Sequence, residues 1–549
     1  MRVKALLLAA TFAASVFTAA AAAVKTPCIV NIINFVRKTE PRIDAITDEI
    51  LYKTTENEAV CMLANGLRGT FLLQYDALID PKYQELMRSL PSDFEVGGWW
   101  EITQPHVEAA GLKWRGRYPW DWHANVGFAT GYTPEEREKL VDVYMKKFKD
   151  VFGKYPESVG SWFIDAHSLK YMYDKYHIVA SCNCRDQVGT DGYTMWGGYW
   201  QGGYYPSVNN AYIPAQTKKE QINVPVFRML GSDPLYQYDF GIGGAVQGVS
   251  TLEPVYDAGG GSESWVNWFM TVETEDPAMG FTYFQAGQEN SFTWDRIRPG
   301  FEMQMRKIAE LKSMDKLQIY TLGQTGKWFS QHNKLTPPTA MSAMSDYTSR
   351  NAKTLWYNSR YYRTNLFWEG GRFRFRDIQL YNEDNRSLYL TTPGTSNECH
   401  YYALPLVDGC LWSSAANVAG LRILARNAAT GGYSEIKCLG QTIQTKNLTT
   451  IVHLNAEGGR QYTITLREKS FVVESNDNSD FCLELTAAPE AKLPFTSITP
   501  GLISAARDGF AYSAKVKHGK AADTRAAQET GGFRISSQNG WIELFLAQK

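Results

Sequence analysis

The sequence predicts an α/β chain, with a barrel of parallel strands and helices over residues 24–330 and an antiparallel β-sandwich over residues 331–549. Three observations predict it. From Cys28 to about Phe329, runs rich in Val, Ile and Phe alternate with amphipathic stretches, the pattern of strands buried on both faces and joined by helices. Seven or eight such units close, or nearly close, a barrel. After Thr336-Pro337-Pro338-Thr339 the texture turns to short alternating runs separated by Gly, Asn and Asp, with no helical period between most of them.

Taken in order, Cys28–Val36 is a continuous apolar run and predicts the first strand, with a charged amphipathic helix from about Ile43 to Leu63. Residues 70–75 predict a strand, 81–90 a helix and 94–102 a third strand. The helix over Pro134–Phe152 opens with Thr133 as N-cap, Pro134 at the first position and Glu136 in a capping box, and Gly153 stops it. Residues 158–164 and 178–184 predict the fourth and fifth strands around a short helix at 168–175. Residues 224–230 and 280–286 predict the sixth and seventh, before a helix at 301–313 and a last strand at 317–322. The segments 186–217 and 237–263 are too long and Gly/Tyr-rich for plain connections and predict walls of a cleft. Beyond the Pro-Pro segment, strands are expected at 355–357, 372–380, 387–390, 433–439, 451–454, 462–466, 471–474 and 541–546.

A chain of 549 residues exceeds one hydrophobic core, so two or three domains are expected. Apolar content of 44% and aromatic content of 13% exclude a disordered protein. With 56 basic and 57 acidic residues there is no basic field for nucleic acid or a membrane surface, and a neutral or mildly polar substrate suits this balance. Residues 1–23 carry Arg2 and Lys4, an apolar run from Ala5 to Val16 and small residues at Ala19–Ala23. This is the pattern of a cleaved secretory signal, too short for a membrane anchor, so a periplasmic or extracellular protein with no membrane insertion is expected. Export permits disulfides. Cys28 with Cys61, Cys399 with Cys410 and Cys438 with Cys482 are candidate pairs, whereas Cys182-Asn-Cys184 has the wrong spacing for zinc or redox chemistry and predicts buried thiols.

Eleven of the sixteen tryptophans fall between Glu95 and Trp294, where apolar runs break off into acid-and-aromatic clusters such as Trp99-Trp100-Glu101 and Trp162-Phe163-Ile164-Asp165. Indole faces suit pyranose C–H surfaces and carboxylates suit sugar hydroxyls and proton transfer, although core filling explains any single tryptophan equally well. In a parallel barrel, reactive groups come from the C-terminal strand ends, which selects Arg37, Asp76, Glu101, Asp165, Asp186, Asp233 and Glu289. Glycoside hydrolysis needs two facing carboxyls in opposite protonation states. Asp165, directly after Trp-Phe-Ile, and Glu289, after a Gly-Gln pair, are the candidate catalytic acids. A helix-capping role for Asp165 is the competing expectation. Arg37, Asp76, Glu101, Asp121, His123 and Asp186 are candidate substrate contacts, and Trp100, Trp122, Trp162, Trp196 and Trp294 candidate sugar platforms. No cofactor is expected. The alternative is zinc or manganese at Asp121, His123, Asp165 and His167. A nucleophile elbow, a phosphate-binding loop, a dinucleotide fingerprint and His-Glu-x-x-His are all absent.

The path from Asn31-Ile-Ile-Asn-Phe-Val-Arg37 through Gly69-Thr-Phe-Leu-Leu-Gln-Tyr-Asp76 and Glu95-Val-Gly-Gly-Trp-Trp-Glu101 to Ser158-Val-Gly-Ser-Trp-Phe-Ile-Asp165 resembles the early strands of the polysaccharide deacetylase and family 57/38 glycoside hydrolase superfamily. It also resembles secreted bacterial proteins of unknown function described as polysaccharide deacetylases. The likeness covers roughly residues 28–330 and implies a (β/α)7-type barrel with a β-rich C-terminal region, and a polysaccharide or oligosaccharide substrate. The departures bear on activity. The first strand ends Asn34-Phe35-Val36-Arg37 where deacetylases have an Asp-Asp pair, His106 is followed four residues on by Ala110 instead of a second His, and the His-x-Asp of zinc mannosidases is missing. Family 57 enzymes draw a nucleophile from the fourth strand, matched in position by Asp165, and an Asp from the seventh, matched by Glu289 in strand only. The resemblance therefore implies a metal-independent glycoside hydrolase. A metal-dependent deacetylase with an atypical Asp/His site and a non-catalytic carbohydrate-binding protein are the other readings.

Overall fold

The computed structural model describes residues 26–190, 192–242, 246–427, 430–524 and 531–548. The expected signal segment at 1–23 lies outside them. The chain is mixed α/β, built on a curled parallel sheet and on antiparallel strands.

The curled sheet is laid down by β1 (Cys28–Val36), α1 (Asp48–Ala64), β2 (Thr70–Leu73), β3 (Glu95–Trp99), α2 (Pro134–Phe152), β4 (Ser158–Gly160), α3 (Ala166–Tyr176), β5 (Ala180–Asn183), β6 (Val226–Arg228), α4 (Glu263–Glu275), β7 (Thr282–Ala286), α5 (Trp294–Ser313), β8 (Gln318–Tyr320) and α6 (Leu322–His332). Strand order is β7-β1-β2-β3-β4-β5-β6, all parallel, with Gly203–Tyr204 antiparallel at the β6 edge. Among the described residues no pairing joins β6 to β7, so the curl is open there. β1 is the organising strand. Residues 28–32 pair with β7, residues 29–31 with β8 and residues 33–36 with β2. It can pair this widely because every residue in it is buried, as its unbroken apolar run requires.

The inside of the curl is filled by Ile29, Ile33, Phe35, Leu72, Trp99, Phe227 and Tyr283, and a second cluster lies between the sheet and its helices. α2 forms where the sequence places it, with the Thr133–Glu136 capping box and Gly153 in the left-handed region at its end. α4 and α6 escape the sequence reading. α4 carries Trp265, Val266, Trp268, Phe269 and Met270 almost consecutively, a run that masks the helical period, and Ser262 caps it.

From Thr339 onward the strand pairings are antiparallel, except that Cys399–Tyr402 pairs in parallel with Tyr193–Trp196. One sheet runs Ala278–Met279, Thr339–Ala343, Lys353–Asn358, Tyr362–Glu369, Arg372–Leu380, Gly420–Arg426, Phe481–Thr486, Gly531–Ser536, Lys520–Asp523. A second contains Cys438–Lys446 through Ser470–Ser475, then Trp541–Phe545, Phe510–His518, Leu502–Arg507 and Phe495–Thr499. Leu366, Phe375 and Leu483 of the first share one core with Val452, Ile464 and Leu544 of the second. Residues 387–390, expected as strand, form turns instead, because Asn385, Ser387 and Tyr389 turn the backbone back against residues 209–210. Cys61, Cys182, Cys184, Cys399, Cys410, Cys438 and Cys482 are free thiols, so none of the three expected pairings is made. Cys182 and Cys184 are fully buried, as expected for small apolar fillers.

Candidate functional site

Strand ends β1, β3 and β7 converge at one point of the sheet's C-terminal edge. Phe35 N donates to Gln288 O at 3.2 Å, and Phe35 bridges Glu289 in parallel register, which sets Glu289 beside Arg37. Gly287 makes this approach possible. Its φ is +101°, and a Cβ there would lie 2.1 Å from the Ile33 carbonyl oxygen.

Arg37 grips Glu101 through two bonds, Nε to Oε2 at 3.0 Å and Nη2 to Oε1 at 2.8 Å. Its Nη1 stands 2.9 Å from Glu289 Oε2 as an ion pair without an aligned hydrogen bond. Gln74, which follows β2, donates to Glu101 Oε2 at 2.7 Å. The Trp120 ring covers the guanidinium at 4.2 Å and also meets Arg42 at 4.9 Å. Arg37, Glu101 and Glu289 are 2%, 1% and 4% exposed, so solvent screens none of these charges.

Burial dominates the electrostatics. It pushes the Glu289 carboxyl up to about 7 against the pull of Arg37 and Arg42. Burial opposes the charge of Arg37, but Glu101 and Glu289 outweigh it and raise its pKa. Behind Glu289, Glu58 on α1 is wholly buried with neither carboxyl oxygen bonded, and burial followed by the nearby Glu289 holds it well above the usual carboxylate range. The arrangement is a carboxyl near neutrality beside a second, Arg-clamped carboxyl, under an indole lid.

The lid is braced by Asp121. It accepts from Arg117 Nε and Nη2 at 2.9 and 2.8 Å and from the Arg117 and His123 backbone at 2.9 and 3.2 Å. These bonds overcome the opposing effect of burial and lower its pKa to about 2. His123 Nδ1 lies 3.9 Å from the same carboxylate, and half-exposed Trp122 takes Arg117 over its ring at 4.5 Å. Thus Arg37, Glu101 and Glu289 meet directly, and Asp121, Trp122 and His123 sit in the loop that roofs them.

The other candidate residues lie apart from this contact. Asp76 opens a short helix after β2, and burial raises it to about 7. Asp165 caps α3 by accepting from Ser168 N at 2.9 Å and pairs with fully buried Arg137 at 3.0 Å, partners it does not share with Glu289. Asp186 binds Gly197 N, Tyr212 Oη, Arg228 and Arg363, tying β5 and β6 to the antiparallel strands. Asp233 is saturated by Trp265, Tyr347, Ser250 and two backbone N–H groups. Trp100 and Trp196 are each 1% exposed; Trp100 packs on His106 and Tyr144, and Trp196 donates to Asp408. Trp162 and Trp294 are half-buried, Trp162 lying edge-on to Trp99 within the curl. Among the described residues no three His, Cys, Asp or Glu side chains gather as a metal site. Asp121, Asp165 and His167 instead hold Arg117, Arg137 and Glu138.

Arg42, Gln74 and Glu58 escaped the sequence reading, and Trp120 entered it only as part of the acid-and-aromatic cluster Trp120-Asp121-Trp122-His123. Gln74 stands one residue past a strand end and was within reach of that rule. Glu58 lies inside a helix, where only packing reveals it.

No family model matches the sequence, and no curated protein matches it. Solved structures do. A candidate glycoside hydrolase/deacetylase from Parabacteroides distasonis superposes with a TM-score of 0.51 at 15% identity, covering 69% of this chain and 90% of that one. Candidate polysaccharide deacetylases from Mycobacterium smegmatis and Pseudomonas aeruginosa align at 14% and 9% identity over 57% and 56% of this chain, with TM-scores of 0.35 and 0.33. At 15% identity the likeness to the Parabacteroides distasonis structure is one of fold. No helix among the described residues is long and apolar enough to cross a membrane.

Proposed function

We propose that this chain is a carbohydrate-active enzyme, a glycoside hydrolase acting on an oligo- or polysaccharide where Arg37, Glu101 and Glu289 meet. The observation that carries the reading is Glu289, whose carboxyl is held at about 7 beside a second carboxyl. Glycosidic cleavage needs one carboxyl that keeps its proton at working pH for the leaving oxygen, and another that is ionised. Glu289 takes the acid/base role, and Glu101, oriented by Arg37 and Gln74, the carboxylate role. Both pair with one guanidinium, which holds the two acids near one another. Asp165 is the alternative second carboxylate. The Trp120–Trp122 loop lifts to admit the sugar, with Trp122 and Trp294 as platforms.

In this reading the curled sheet is a (β/α)7-type barrel, the antiparallel sheets form a β-sandwich, the protein is exported, and the chemistry needs no cofactor. A second reading, a saccharide-binding protein on the same scaffold, is favoured by the near-complete burial of the three residues.

The test is a panel of glycans with product analysis, run on the wild type and on Glu289→Gln, Glu101→Gln and Asp165→Asn. Loss of turnover in the first two with retention in folded Asp165→Asn supports the assignment. Turnover surviving Glu289→Gln refutes it, and glycan affinity without turnover supports the binding protein.

A further inference from the structure

A polar cavity lies away from the Arg37 site, where strand Cys399–Tyr402 meets the turn after Leu502–Arg507 and the loop at 385–388. It encloses about 210 Å³. That is below the about 300–1,000 Å³ of pockets for drug-sized ligands and is scaled to one sugar ring. Its floor is aromatic: His400 and Tyr402, two residues apart on one strand face, lie parallel within 11° at 5.9 Å. The Arg507 guanidinium stacks on Tyr402 at 3.9 Å. Its nearest acid, Asp508, is 3.8 Å from Nε, beyond a hydrogen bond, so the outer N–H groups of Arg507 have no protein acceptor among the described residues. Arg386 on the facing loop is exposed and makes no ion pair among the described residues. The Asn210 and Asn385 side chains complete the wall.

We propose that this cavity binds an acidic sugar residue, a uronate unit of a polysaccharide. A guanidinium held on Tyr402 with its fork free matches a carboxylate bidentately, the exposed His400 ring offers a flat face to a pyranose ring, and amides with Asp508 suit its hydroxyls. A simple inorganic anion would use the cations but leave the His400 ring idle. The choice of a sugar rests on the carbohydrate reading, whereas binding here is independent of turnover at Glu289.

The experiment is calorimetry of the full chain with trigalacturonate, its methyl ester and neutral galactotriose. Trigalacturonate should bind at least tenfold more tightly than either uncharged ligand, and Arg507→Gln and Tyr402→Ala should each weaken it by tenfold or more. Arg386→Gln, fully on the surface, guards against misfolding and should weaken it severalfold. The readout is heat of binding, so loss of turnover at Glu289 and loss of trigalacturonate affinity are separate outcomes. Equal affinity for galactotriose, no binding of trigalacturonate, or indifference to both arginine substitutions overturns the proposal.

Discussion

Arg37 and Glu289, the residues that follow β1 and β7, meet in a 2.9 Å ion pair almost out of reach of solvent. The cation lowers a carboxyl that burial raises, and the balance leaves Glu289 at about 7. If Glu289 is the acid, Glu289→Gln should lower kcat by about 10²–10⁴-fold, and wild-type activity should fall as pH rises through about 7. Arg37→Met removes a lowering influence, so the alkaline limb of the rate profile should move to higher pH. A limb that stays in place in this variant dissociates Glu289 from the profile.

Asp165→Asn keeps a helix cap but strips the partner from buried Arg137. Breaking a buried pair from one side costs about 3–5 kcal/mol. Denaturant unfolding should show a loss of that size, while turnover per folded molecule stays within about twofold of wild type. A loss of turnover without a loss of stability would transfer the second catalytic role to Asp165.

Asp186 binds both Arg228 and Arg363, and Arg363 also binds Asp377 and the Gly198 carbonyl. Asp186→Ala leaves two buried cations short of an acceptor and should destabilise by at least about 3 kcal/mol. Limited proteolysis should then cleave within 186–217, which this residue anchors through Gly197 and Tyr212.

Burial raises Glu289 and Asp76 to about 7 and Glu273 to about 8. Unfolded carboxyls titrate near 4. Between those values the folded chain holds protons the unfolded chain has released, so stability declines as pH rises from about 4 to about 8 and then levels. Thermal unfolding should give a higher Tm at pH 5.5 than at pH 8.5, with a smaller difference in Glu273→Gln. A Tm that rises over this range contradicts the buried protonated acids.

The strands and capped helices with strong local signals were legible: β1 from its unbroken apolar run, α2 from Thr133, Pro134 and Gly153. α4 was not, because consecutive aromatics hide a period of 3.6. Of the residues that the strand-end rule selects, Arg37, Glu101 and Glu289 are in contact with one another. The same rule selects Asp186 and Asp233, which accept hydrogen bonds from side chains far along the chain.

By itself the sequence determined the strands and helices with strong local signals, such as β1 and α2, and the polar groups that stand at their ends, because burial pattern, capping and turn chemistry are local. Only tertiary structure decided that Glu289 faces Arg37 while Asp165 faces Arg137. That choice depends on the register of β7 against β1 and on the close approach at Gly287. Register and burial also set the charge a carboxyl carries, since the balance of desolvation against a neighbouring cation exists only once distant segments pack.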